Sequence, residues 1–130
     1  GVKDSIVFTG IVSAADIPQI LKNAAVLALD RPDSLQAQCG FPTKLGEYLL
    51  TENPVIVTKV GDIPLFLKDG ETALLVEERN PKEFSSKIIW ALEHPEEATE
   101  IGKAGAQVAM REFNYLNETK KIIDVINRLS

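Results

Sequence analysis

Cysteine, histidine and tryptophan each occur once among the 130 residues of this chain, and no stretch is strongly basic. Each scarcity removes a class of protein. A single cysteine, Cys39, excludes an internal disulfide and fits a reducing compartment. A net charge of -5 with no basic cluster argues against nucleic acid or an anionic membrane surface as partner. No apolar run approaches the roughly 18 residues that a membrane-spanning helix needs, and nothing reads as a signal peptide. The expectation is a soluble, cytoplasmic chain. It shows no internal repeat, low-complexity tract or linker.

The rest of the composition, 45% hydrophobic and 25% charged, is that of a globular protein, so residues 1–130 are read as one domain. Apolar runs alternate with helical patterns. Ser5 to Thr9 reads as a short strand ending at Gly10, and Ser13 as the cap of a helix with Ile17, Ile20, Leu21 and Ala24 on one face. Val26 to Leu29 reads as a buried strand, followed by a long loop rich in Asp, Ser, Gln and Pro. Gly40, Phe41 and Pro42 lead into a short helix from Thr43 to Leu50, and Val55 to Val57 is a third strand. A turn through Gly61 and Pro64 precedes a short helix ending at Asp69-Gly70, and Thr72 to Val76 is a fourth strand.

The remainder is helical. Asn80 caps, Pro81 opens the helix and Glu83 completes a capping-box-like start, with Phe84, Ile88, Ala91 and Leu92 as the buried stripe. A helix from Glu96 to Arg111 carries small residues, Ala98, Gly102, Gly105 and Ala109, that permit close approach. The last helix, Asn117 to Leu129, is expected to bury Ile122, Ile123, Ile126 and Leu129. Strands alternating with helices predict an α/β, Rossmann-like parallel sheet with helices on both faces.

In such sheets ligands bind beyond the carboxyl ends of the strands, which is where the long loop lies. Thr43 is read as a cap, and the NH groups that open its helix favour an anion such as phosphate. Lys44 adds a cation and Glu47 a carboxylate one turn on. Together they suit a phosphorylated sugar or a nucleotide.

Gly40-x-Pro42-x-Lys44-x-x-Glu47-Tyr48 followed by Asn53-Pro54-Val55-Ile56-Val57 resembles the retaining glycosyltransferases of family 4. The resemblance runs along the chain. Val7-Phe8-x-Gly10 is similar to the third strand and base-contacting turn of their second, nucleotide-binding domain; Gly61-x-Ile63-Pro64 with Lys68-Asp69-Gly70, Ala73 to Val76, and Phe113 before a long helix match later segments. It implies a partial C-terminal domain of the GT-B fold, lacking its first two strands. It further implies that Glu47 accepts hydrogen bonds from the ribose hydroxyls of a nucleoside diphosphate sugar, and that Lys44 neutralises the diphosphate. Gly40 and Phe41, beside Pro42, would offer backbone NH groups to the sugar, and Gly10, Ile11 and Val12 would contact the base.

Two positions depart from the family pattern. Cys39 stands where a glutamate commonly contacts the donor sugar, and is read as a small half-buried residue. Leu65 stands where another glutamate is common, and Gly61-Asp62 replaces a paired glycine, Asp62 being read as a helix cap. His94 is read as a cap, Trp90 as core or docking surface, and Asp30 with Asp33 as no metal pair.

The implied function is donor binding in a retaining glycosyltransferase that transfers a hexosyl unit to a hydroxyl acceptor in polysaccharide biosynthesis. The nucleotide sugar is a substrate, no metal or cofactor is called for, and no catalytic residue is assigned. A glycan or lipid-linked acceptor would be met through a domain outside this chain, peripheral to a membrane, and the chain alone would be inactive. A nucleotide-sugar epimerase of the same fold would need catalytic carboxylates and histidines that the chain does not show. A non-catalytic Rossmann-like interaction module draws its support from Cys39 and Leu65. With the first two strands lacking, the strand from Ser5 to Thr9 would have to pair beside the Val26 strand, pair with a second copy in a homodimer, or await residues not in this chain.

Overall fold

Three strands, β1 (Leu27–Leu29), β2 (Val55–Thr58) and β3 (Leu74–Val76), form a parallel sheet in that order in the computed structural model, which describes residues 1–129. Leu27 lies beside Val55 and Leu29 beside Val57, while Ile56 lies beside Leu74 and Thr58 beside Val76. Every residue of β2 and β3 is buried. That matches their sequences, apolar but for the closing Thr58 rather than alternating, as strands covered on both faces require.

The helices among the described residues are α1 (Ile17–Lys22), α2 (Leu35–Cys39), α3 (Thr43–Leu49), α4 (Ile63–Phe66), α5 (Pro81–Glu93), α6 (Pro95–Glu112) and α7 (Tyr115–Leu129). On one face of the sheet Leu45 and Leu49 of α3, with Val108 and Ala109 of α6, pack against Leu27, Val55, Val57 and Leu75. On the other, Ala91 of α5 and Ala98 and Ile101 of α6 meet Ile56, Leu74 and Val76. Helices therefore cover both faces, as expected. The small residues of α6 do what their size allows. A Cβ added at Gly102 would run into the backbone of Glu52 and Asn53, and one at Gly105 into the Thr72 carbonyl and the Leu49 side chain. The start of α5 is also as read: Asn80 Oδ1 accepts from the Glu83 amide at 3.2 Å and Pro81 opens the helix.

Several expectations need correction. The strand expected at Ser5 to Thr9 does not form: Val2–Ser5 is a 3-10 turn, and Ile6 to Thr9 belongs to no regular element, with Val7 at 82% and Phe8 at 92% exposure. The sheet has three strands among the described residues, and the segment does not pair beside β1. Its apolar side chains stay in solvent, so no burial holds the segment against the sheet. The last helix exists but buries none of its residues; Ile122, Ile123, Ile126 and Leu129 are all exposed. Leu92 is exposed as well, because α5 presents Ala91 and not Leu92 to the sheet. The first helix starts at Ile17 after Asp16, and the Ser13 hydroxyl accepts only from the Ala15 amide at 3.3 Å.

Candidate functional site

The carboxyl end of β1 feeds a loop that is more ordered than its composition suggested. Residues 35–39, expected to be loop, form α2, because Ser34 caps it with its hydroxyl accepting from the Ala37 amide at 3.2 Å. Asp33 accepts from the Gln38 side chain at 2.6 Å and pairs with Arg79 at 3.7 Å. Where α2 ends, the Arg31 guanidinium donates to the Gly40 carbonyl at 2.8 Å. The Phe41 ring then packs against Phe113 (centroids 4.9 Å apart) and Phe66 (5.5 Å), with Phe41 still 37% exposed.

Pro42, not Thr43, occupies the position before α3; Thr43 is the first helical residue, and no side chain caps this helix. Leu45 and Leu49, four residues apart and both at 0% exposure, fix the rotation of α3 against the core. That rotation turns Lys44 and Glu47 to solvent, and neither has an ion-pair partner among the described residues.

Glu47 stands on the wall of an open cleft of about 610 Å3 between α1 and α3. Across from it lie Ala14, Ile17 and Leu21, with Leu50 and Thr51 completing its own side. Asn53 holds the two walls together, its amide donating to the carbonyls of Leu21 at 3.0 Å and Lys22 at 3.1 Å. Gly10, Ile11 and Val12 do not line this cleft; Ala14, two positions on, is the first residue that does. Gly10 turns at φ +65°, Ile11 is fully exposed and Val12 is half-buried. Glu47 and Ala14, some thirty positions apart in sequence, thus meet across one cleft, and the Gly10 turn is not brought into it. Gly40, Phe41, Pro42 and Lys44 lie at the entry and first turn of α3. Cys39, the last residue of α2, is exposed rather than half-buried, and its thiol is free.

Other singled-out residues lie elsewhere. Asp62 occupies the capping position of α4, but its carboxylate accepts no hydrogen bond from that helix. Asp30 faces a smaller hollow of about 260 Å3 with Thr58 and Arg79. His94 joins α5 to α6, its Nδ1 2.9 Å from the Trp90 carbonyl and its ring stacked on Trp90. At the far end of the sheet Lys87 binds Asp69 and the Leu75 carbonyl, both at 2.5 Å, while Asp69 also accepts from the Leu75 amide at 2.8 Å. Burial works to raise the Asp69 carboxyl, but the Lys87 ammonium and the Leu75 amide outweigh it and hold it below the ordinary 3.8. Glu77, accepting from Lys59, holds that ammonium above its ordinary 10.5. No group of three or more metal-ligating side chains gathers among the described residues, and no helix there is long and apolar enough to cross a membrane.

Sequence reasoning missed Arg31 and Thr58, and took Asn53 only as the opening of a motif, without its hydrogen bonds. Their signals were faint: an arginine directly after a strand, an asparagine ahead of Pro54, and a threonine ending an otherwise all-apolar run.

A parallel sheet with helices on both faces defines a Rossmann-like domain. Residues 1–94 match the family model for group 1 glycosyl transferases, and the chain belongs to that family. The trehalose synthase of Pyrococcus horikoshii is 31% identical over 90 residues, covering 69% of this chain and 21% of the relative. The trehalose synthase of Thermococcus litoralis is likewise 31% identical, over 88 residues. The chain thus spans about a fifth of the length of the curated relatives it matches. Among solved structures, Anabaena HepE in complex with UDP and glucose superposes with a TM-score of 0.82 at 19% identity, over 97% of this chain and 33% of that one. Sucrose-phosphate synthase from Thermosynechococcus elongatus superposes at 0.78 with 22% identity, over 98% of this chain and 31% of that one.

Proposed function

We propose that this chain forms the donor-binding part of a glycosyltransferase that moves a sugar from a nucleoside diphosphate to a hydroxyl acceptor with retention of configuration. The observation that carries this reading is the α1–α3 cleft, with an unpaired carboxylate, Glu47, on its wall and an unpaired cation, Lys44, one turn nearer the carboxyl end of β1. In it, Glu47 accepts from the two ribose hydroxyls, since a charged acceptor forms the stronger hydrogen bonds. Lys44 neutralises the diphosphate as negative charge develops on the leaving group, which is where electrostatic stabilisation lowers the barrier most. Gly10, Ile11 and Val12 contact the base through backbone, and the NH groups of Gly40 and Phe41 reach the sugar beside Pro42 and Cys39. Because Cys39 offers no carboxylate, sugar recognition falls to backbone. The UDP bound by HepE makes uridine nucleotides the first donors to try.

The nucleotide sugar enters as substrate, with no resident metal or cofactor in this reading. A glycan or lipid-linked acceptor is met by parts of the protein outside this chain, in the cytoplasm.

Titration of the intact protein with uridine diphosphate and with uridine tests the assignment of Lys44. Lys44→Met should weaken the diphosphate about tenfold, and added salt should weaken the wild type toward the same value, since exposed charges are screened over about 8–10 Å. Uridine should bind both proteins alike. Equal losses for both ligands would mean that Lys44 acts through structure and not charge.

A further inference from the structure

Thr58 is the only polar side chain in the buried set among the described residues, at 1% exposure. It closes β2, whose other residues are Val, Ile and Val, at the carboxyl end of the sheet. Its hydroxyl is fully used. It accepts from the Arg31 amide at 2.9 Å and donates to the Arg31 carbonyl at 3.2 Å, so one hydroxyl holds both polar groups of a single loop residue. The Arg31 side chain passes that restraint onward by donating to the Gly40 carbonyl at 2.8 Å. A second support comes from the same end of β2. Gly61, at φ +58°, lies so close to α2 that a Cβ there would stand 2.7 Å from the Gln38 carbonyl and 3.0 Å from that of Ala37.

We propose that Thr58 and Arg31 are positioning residues: a clamp running from β2 through Arg31 to Gly40 that sets where the segment from Gly40 to Pro42 stands relative to the sheet. This rests on the donor-site reading for its consequence but not for its geometry. An apolar side chain at position 58 would fill the core equally well. The hydroxyl is explained by the two bonds it makes, which replace the strand ladder that the chain leaves at Asp30. The arrangement also divides the site. The segment held by the clamp carries the NH groups assigned to the sugar, whereas α3, with Lys44 and Glu47, is fixed separately by Leu45 and Leu49. Loosening the clamp should therefore cost binding of the sugar end and spare the nucleoside end.

Amide exchange and ligand titration on the intact protein test this together. Thr58→Val keeps the shape and removes both bonds, Thr58→Ser keeps the hydroxyl, and Arg31→Met cuts only the link to Gly40. In Thr58→Val the amides of Arg31, Gln38 and Leu45 should exchange about tenfold faster than in wild type, with those of β2 unchanged, as expected for local and not global opening. Thr58→Ser should match wild type. Arg31→Met should speed Gln38 and Leu45 and leave the Arg31 amide protected. Uridine diphosphate glucose should bind Thr58→Val about tenfold more weakly, with uridine unaffected, because a small misplacement of a binding segment is enough for such a loss. Unchanged exchange at Gln38 and Leu45 in both Thr58→Val and Arg31→Met overturns the clamp, as does equal loosening in Thr58→Ser. A wild-type protein that binds neither nucleotide overturns the donor-site reading, and the exchange results then still decide the clamp.

Discussion

Ile56 and Ile122 are the same side chain in two different situations. Ile56, in the middle strand, has no exposed surface; Ile122, on α7, is 61% exposed. The contrast extends to their surroundings. The strands β2 and β3 with α3, α5 and α6 form cores on both faces of the sheet, whereas the first dozen residues and α7 carry comparable apolar content and bury almost none of it. Periodicity identifies which residues share a face. Whether a surface exists to receive that face depends on the rest of the fold, and that information is not local.

The widest gap between the regions should appear on truncating side chains. Leu45→Ala removes a fully buried side chain beneath the helix that bears Glu47, and should lower unfolding free energy by about 2–5 kcal/mol in denaturant titration. A loss below about 1 kcal/mol would mean that α3 is not seated on the core as described.

A smaller effect should mark the brace between Asp69 and Lys87. A carboxyl held below its ordinary value contributes stability that is fully present above pH 3.8 and is lost as pH falls through the depressed value. Asp69→Asn should therefore cost about 1 kcal/mol at neutral pH, the carboxylate being partly exposed and screened, and should flatten the stability profile below pH 3.8. An unchanged acid limb would assign acid sensitivity to other carboxylates.

The smallest change belongs to α7. Ile122→Ala should alter the stability of this part of the molecule by no more than about 0.5 kcal/mol, the usual range for exposed sites. A loss close to that of Leu45→Ala would show that α7 buries its apolar face against something, and would erase the contrast between the two regions.

Legibility in the sequence followed the same division. The apolar runs of β2 and β3, the Asn80-Pro81 helix start and the small-residue face of α6 were readable because each is fixed by neighbours in sequence or by residue size. The strand expected at Ser5 to Thr9 and the buried face expected on α7 were not, since pairing and covering depend on surfaces far along the chain. At the site, Glu47 and Lys44 were legible from spacing, and their turning to solvent follows from the burial of Leu45 and Leu49. Thr58 and Asn53 work through hydrogen bonds to backbone 27 to 32 positions away and Arg31 through one to a carbonyl nine positions on, and no local pattern announces such bonds.

The central claim is that Glu47 holds the ribose of a nucleotide in the α1–α3 cleft, and calorimetric titration of uridine diphosphate into the intact wild-type and Glu47→Gln proteins tests it most directly. Binding should weaken by about 1.5–3 kcal/mol, the range for a hydrogen bond to a charged group, while the unfolding transition stays in place because the side chain is exposed. Equal affinity of the two proteins for the nucleotide would contradict it.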